Sequence, residues 1–431
     1  MPPSPSRSNA PSALVTLSGL LALLAAQAIF NACVNDAVTS TAAHASDGPA
    51  PASHGRLEKQ RIALPTGIDL AYVELGAARG EPVVFLHGIT DTSRSFLDTA
   101  RALADLRPEL RLLLLDMRGH GDSSMPGAEG CRGKPASCFR PADFADDVTS
   151  FLDALGLTRA DIVGHSLGSA AAQELALEHP ERVRRLVLIG SPPSTVGDPT
   201  YTNLLLRDLA EGPWKRALEA KGKRFPEDVY DLTPLDVDPQ AEKWMLENWV
   251  FEPSADPELL AAIAPETARV RIGTWLGASR AALEVDNRSR LRGLTVPTLV
   301  LWATQDSFFK ESPQQADLLE SLHAATRECG LEFTWKQYGR VPLAASGLPE
   351  SDFAHNLHWG PYEQVAQDLA AFLREGGEPT RDAFYADPAD VRRVVTDPGA
   401  AKLIEGRPRA GAHATGTACR SAAAFSTDAG D

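Results

Sequence analysis

The sequence predicts an α/β fold, a mostly parallel sheet flanked by helices with a further helical segment inserted late in the chain. Three observations predict it. Residues 112–115 are four consecutive leucines, without the polar alternation of a one-sided strand, as expected of a strand buried on both faces of a parallel sheet. Residues 160–163 form a short run that passes through Gly164-His165-Ser166-Leu167-Gly168 into the helical pattern of 169–177, which reads as strand, sharp turn and helix. Residues 296–303 form another strand and deliver Asp306 just beyond its C-terminal end, the edge where open parallel sheets gather catalytic groups.

Taken in order, residues 1–33 read as an export signal. The first nine have Arg7 as their only charged side chain, and the apolar stretch 13–30 is interrupted by Thr16, Ser18, Gly19 and Gln27, a poor membrane span but a good export segment. Phe30-Asn31-Ala32-Cys33 resembles a bacterial lipoprotein cleavage site, with Cys33 as the lipidated residue; cleavage near Ala45 and a retained anchor are the alternatives. All three place the protein outside the cytoplasm, in the periplasm or cell envelope, or secreted. Residues 34–55 are rich in Ala, Ser, Thr, Pro and Asp and cannot bury enough apolar surface to offset chain entropy, so they read as a flexible linker.

The core is expected in two parts, 56–190 and 294–375. Strand 82–86 ends in His87-Gly88-Ile89. An acyl-transfer enzyme needs two backbone N–H donors for the oxyanion, and Ile89 and Leu167 stand where they are required. His87 reads as a structural turn residue. Asp116, His120 and Asp122 could be taken for metal ligands, but two glycines dominate their loop and no further ligand group lies nearby, so a hydrogen-bonded turn is expected and no metal site. Glycines on both sides of Ser166 permit the turn that lifts its hydroxyl clear of the sheet, and the helix N-terminus favours developing negative charge. His355 follows the last strand, 331–338; His358 is a rival imidazole, and Asp352 reads as a surface residue. The chain order is Ser166, Asp306, His355.

On these motifs the chain resembles the α/β-hydrolase superfamily, in particular its bacterial esterase and haloperoxidase-like branch, from about Arg56 to Arg374. The resemblance implies a mostly parallel eight-stranded sheet and a helical cap after the sixth strand. It makes Ser166 the nucleophile, His355 the general base and acid, and Asp306 the carboxylate that orients the imidazole. Epoxide hydrolases and haloalkane dehalogenases carry a carboxylate where this chain has Ser166. No cofactor is implied. The expected substrate is a small carboxylic ester or lactone with an apolar part. The rivals are a C–C bond or amide hydrolase, a perhydrolase with the same triad, and a non-catalytic binding module, which should show damage to the triad or oxyanion loop.

The insertion, 191–293, places Trp214, Trp244, Trp249, Phe251 and Trp275 among helically spaced aliphatic and acidic residues; the tryptophans are expected mainly as its core. Phe308 and Phe309 are expected to pack beneath it. Of five cysteines, four remain if Cys33 is lipidated. Cys131 and Cys138 bracket a short loop that a disulfide can close, and Cys329 with Cys419 would pin the tail. In the extension 376–431, residues 381–403 carry scattered apolar side chains that can pack on the domain, and 405–431 read as disordered. A net charge of −15 argues against nucleic acid and against a polybasic membrane contact, leaving a lipid or leader as the only membrane link.

Overall fold

A computed structural model divides the chain into residues 1–53 and 54–431 and describes residues 57–339, 353–374, 376–387, 389–408 and Cys419. The expected export signal, Cys33, the linker and Asp352 lie outside the described residues, as does most of 405–431.

Among the described residues eleven strands are formed: β1 (Gln60–Ala63), β2 (Asp69–Gly76), β3 (Glu81–Leu86), β4 (Leu110–Leu115), β5 (Ala160–His165), β6 (Val183–Ile189), β7 (Thr298–Ala303), β8 (Phe333–Tyr338), β9 (Ala383–Asp387), β10 (Asp390–Asp397) and β11 (Leu403–Gly406). Nine make one sheet in the order β1-β2-β4-β3-β5-β6-β7-β8-β11, and β9 and β10 form a separate hairpin. The pairs from β4 through β8 are parallel, while β1, β2 and β11 join antiparallel at the two ends. To the eight strands expected, the tail thus adds a ninth, Leu403 to Gly406 against β8. Four residues, three of them of intermediate burial, are too short a signal to announce a strand.

The leucine run explains itself here. Leu113 and Leu115 enter one core cluster and Leu112 and Leu114 the other, so both faces of β4 are covered. The first cluster is packed by α2 (Pro141–Ala154), α3 (Leu167–Glu178) and α9 (Ala316–Cys329), the second by α1 (Leu97–Leu106) and α10 (Tyr362–Phe372). Phe384 of β9 joins the second cluster, so the first part of the tail does pack on the domain. The chain forms both expected disulfides, Cys131 with Cys138 and Cys329 with Cys419.

Between β6 and β7 lie the helices α4 (Thr200–Trp214), α5 (Lys215–Ala220), α6 (Ala241–Asn248), α7 (Pro257–Thr267) and α8 (Ile272–Ala282). They share a third apolar cluster in which Trp275 meets the rings of Trp214 and Trp249 at 5.0 and 5.1 Å. Asp256 caps α7 by accepting from Glu258 N, and Pro257 occupies the position where a missing N–H costs nothing. The insertion is tied to the core through Glu266, whose carboxylate accepts from Arg94 Nε and Thr92 Oγ1 at 2.8 and 2.5 Å.

Candidate active site

Ser166 sits between β5 and α3 with φ 51° and ψ −116°, a conformation L side chains rarely adopt. The flanking glycines make it possible. A Cβ on Gly164 would lie 2.4 Å from Gly168 O, and a Cβ on Gly168 would lie 2.2 Å from Leu86 O. Ser166 N donates to Ile189 O of β6, and Gly168 N donates to His87 O, which fastens the elbow to the loop after β3.

That loop carries Ile89, and among the described residues neither the Ile89 nor the Leu167 amide has a protein acceptor. The next residue, Thr90, is among the described residues the other non-glycine with positive φ, at 69°. His87 is structural, as expected: its Nε2 accepts from Met117 N at 3.0 Å, and burial pushes its pKa down to about 3. The loop after β4 is a hydrogen-bonded turn fastened to its surroundings, since Asp116 accepts from Asp122 N within it and from Ser93 N outside it and pairs with Lys59.

Asp306 and His355 come together. Asp306 Oδ1 accepts from the amides of Phe308 and Phe309 at 2.8 and 3.0 Å, and its Oδ2 lies 3.0 Å from His355 Nδ1. Both side chains are almost fully buried. His358 has no contact with Asp306; its Nε2 meets Ser95 Oγ at 2.8 Å, in a buried group with Asp91 and His165. One ligand atom from each of Asp91, His165 and His358 falls within 4.8 Å of the others. Ser95 already bridges two of them, donating to Asp91 and contacting His358, while Trp359 Nε1 donates to it. Burial pushes Asp91 up to about 7 and holds His165 and His358 well below the ordinary imidazole range.

Ser166 and His355 line one cavity, which encloses about 450 Å³ including its open mouth. Its walls are largely aromatic, with Trp249 and Phe251 from the insertion, Phe308 and Phe309 from the Asp306 loop, and Trp359. Neither lysine nor arginine lines it among the described residues. Phe308 and Phe309 therefore line the pocket as well as packing against the insertion; both rings stand edge-on to His355, at 4.5 and 5.3 Å.

Residues 81–329 match the model of the alpha/beta hydrolase fold family. The chain belongs to that family. A 2-hydroxy-6-oxononadienedioate/2-hydroxy-6-oxononatrienedioate hydrolase of Paraburkholderia phymatum is 25% identical over 324 residues, 72% of this chain and 92% of that protein. An epoxide hydrolase of Caballeronia sordidicola is 35% identical over 132 residues, 31% of this chain and 37% of that protein. The chain spans 23% to 55% of the length of four other curated relatives. Among solved structures, the enol-lactonase of Burkholderia xenovorans LB400 superposes with a TM-score of 0.51 at 19% identity, over 73% of this chain and 99% of that one. The α/β-hydrolase fold is thereby shown for this protein.

In this α/β-hydrolase the insertion contributes site residues that no sequence spacing marks. Tyr201, on α4, hydrogen-bonds with the Ser166 side chain; burial, and secondarily the Asp198 charge, push its pKa well up. Trp249 Nε1 donates to Thr90 Oγ1 on the loop after β3 at 3.2 Å. Glu252 lies fully buried with Oε2 2.9 Å from Ala354 N, the amide next to His355. A tyrosine or tryptophan in a helical segment reads as core, and Tyr201 and Trp249 are core as well.

Proposed function

We propose that the protein is a serine hydrolase that cleaves an uncharged carboxylic ester or lactone through an acyl-enzyme on Ser166. The observation that carries this reading is the 3.0 Å Asp306 to His355 contact in the cavity that also holds the strained serine. With its Nδ1 proton held by Asp306, the neutral imidazole presents Nε2 as base. His355 takes the Ser166 proton as Oγ attacks the carbonyl carbon. The resulting oxyanion is held by the N–H groups of Ile89 and Leu167. The imidazolium then protonates the departing alkoxide, or the hydroxyl end of an opened lactone. A water deprotonated by the same Nε2 attacks the acyl carbon, and collapse of the second tetrahedral species releases the acid and restores Ser166.

The cavity walls narrow the substrate. A carboxylate group brought into an aromatic pocket loses its hydration and needs a cationic partner. Among the described residues none lines this cavity, and Asp91 does, which favours an uncharged ester with an aromatic or apolar part over the dicarboxylate in the Paraburkholderia relative's name. Work outside the cytoplasm is part of the same proposal, supported by the two disulfides and by the composition of residues 1–33. Cell fractionation, with labelled lipid followed into Cys33, tests that part.

The mechanism is tested by treating the full chain with a fluorophosphonate probe and mapping the adduct by mass spectrometry. Labelling of Ser166 that is lost in Ser166→Ala and in His355→Ala, with turnover on neutral aryl esters, is the expected result. An unlabelled, folded protein would overturn the mechanism. Turnover of ketonic C–C substrates in place of esters would overturn the substrate assignment.

A further inference from the structure

The cavity wall contributed by the insertion does more than enclose space. Its segment between α6 and α7 contains Trp249, Phe251, Glu252 and Ser254, and it reaches both halves of the catalytic apparatus. Trp249 touches the oxyanion loop at Thr90 Oγ1, immediately after Ile89. Glu252 touches the loop of the base at Ala354 N, immediately before His355. Gly360, on the far side of that loop, is closely covered: a Cβ there would lie 1.9 Å from Ser254 Oγ and 3.0 Å from Glu252 Oε1.

We propose that Glu252 is a positioning residue for His355, a buried carboxyl in the insertion that fixes the loop of the general base while the same segment shapes the substrate pocket. The inference rests on the serine-hydrolase reading above. A carboxyl this deeply buried would be costly without partners. Glu252 has them: Oε2 accepts from Ala354 N at 2.9 Å and Oε1 from Ser254 Oγ at 2.5 Å. The loop therefore cannot shift away from the insertion without leaving a buried N–H and a buried carboxyl unpaired. His355 is held from the other side by Asp306, so the imidazole is fixed at both its ring and its backbone. A base held within a few tenths of an ångström is worth much, since displacement by about 1 Å can cost about 10²-fold in rate.

Burial, opposed by the hydrogen bonds from Ser254 and Ala354 and reinforced by the Asp306 charge, pushes Glu252 up to about 7. Its charge state therefore changes in the pH range where an imidazole base works.

The test compares Glu252→Ala with Glu252→Gln in the full chain. Glutamine can still accept from Ala354 N through Oε1 and can donate to Ser254 Oγ through its amide. Glu252→Ala is expected to lower kcat about tenfold or more with KM moved less than about threefold, whereas Glu252→Gln keeps kcat within about threefold of the parent. A merely structural carboxyl would lower Tm in both variants and leave kcat of the folded protein in place. If Glu252→Ala fails to fold, Glu252→Asp decides: its side chain is one methylene too short to reach both Ala354 N and Ser254 Oγ, kcat is expected to fall with KM moved less, and a parental kcat overturns the proposal. So does a folded Glu252→Ala with the parental kcat. Failure of the parent itself to label at Ser166 is a different result, and it strikes the hydrolase reading.

Discussion

A serine at φ 51° costs of the order of 1–3 kcal/mol, and this one is held there by a strand on one side and a helix on the other. The neighbouring glycines are consequently not interchangeable with alanine. Gly168→Ala places a methyl 2.2 Å from the Leu86 carbonyl, and is expected to cost about 1–3 kcal/mol or more and to lower kcat, read by thermal denaturation and steady-state kinetics. Ser166→Ala should reduce kcat by about 10⁴-fold or more with stability kept or raised, because the substitution removes the proposed nucleophile and leaves the backbone in place. Asp306→Asn, which can present the wrong partner to His355 Nδ1, should reduce kcat by a comparable ~10⁴-fold at neutral pH. Ser166, Asp306 and His355 are legible in the sequence because each stands at a fixed place relative to a strand end. Tyr201, Trp249 and Glu252 are not, since nothing in an insertion's spacing says which of its residues will turn inward over a site tens of residues away.

At the scale of elements, the parallel strands are the most legible part of the chain. Long apolar runs such as Leu112 to Leu115 are dictated by burial on two faces, whereas β11 is four residues long and forms because β8 offers it an unpaired edge. The two disulfides also differ in reach. One joins residues 7 apart and the other residues 90 apart. Loop-closure entropy then gives about 2–3 kcal/mol for the first and about 4–5 kcal/mol for the second. Replacing Cys329 and Cys419 by serine should accordingly lower the denaturation midpoint more than replacing Cys131 and Cys138. Equal losses would mean that the tail is anchored mainly by its packing.

For the molecule as a whole, buried titratable groups set an acid limit. Burial pushes His87 and His120 down to about 3 and holds His165 and His358 well below the ordinary range. These histidines stay neutral in the folded chain but protonate below about 6.5 once it unfolds, so their contribution is lost as pH falls. Asp91 and Glu252, pushed up to about 7, act in the opposite sense: the folded chain keeps their protons between about 4 and 7, which favours folding on acidification. Asp161 and Asp368, also raised by burial, act as those two carboxyls do, so among the described residues four histidines stand against four carboxyls. The two sets oppose one another between about pH 6.5 and pH 4, and below about 4 the carboxyls of the unfolded chain are protonated too, so stability is expected to change little in the first range and to fall in the second. Calorimetry across both ranges checks it, and a Tm that falls steeply from pH 6.5 would mean that the carboxyls offset little of the histidine term.

The tail strand has a bearing on where such a molecule can be made. β11 closes the β8 side of the central sheet, and the Cys329 to Cys419 bond ties the chain just beyond it to α9. Where thiols are kept reduced, that tie is absent, and departure of four residues bares a ladder of N–H and C=O groups to any other copy nearby. Production in a reducing cytosol should thus favour aggregates over monomers, with the oxidised preparation free of them.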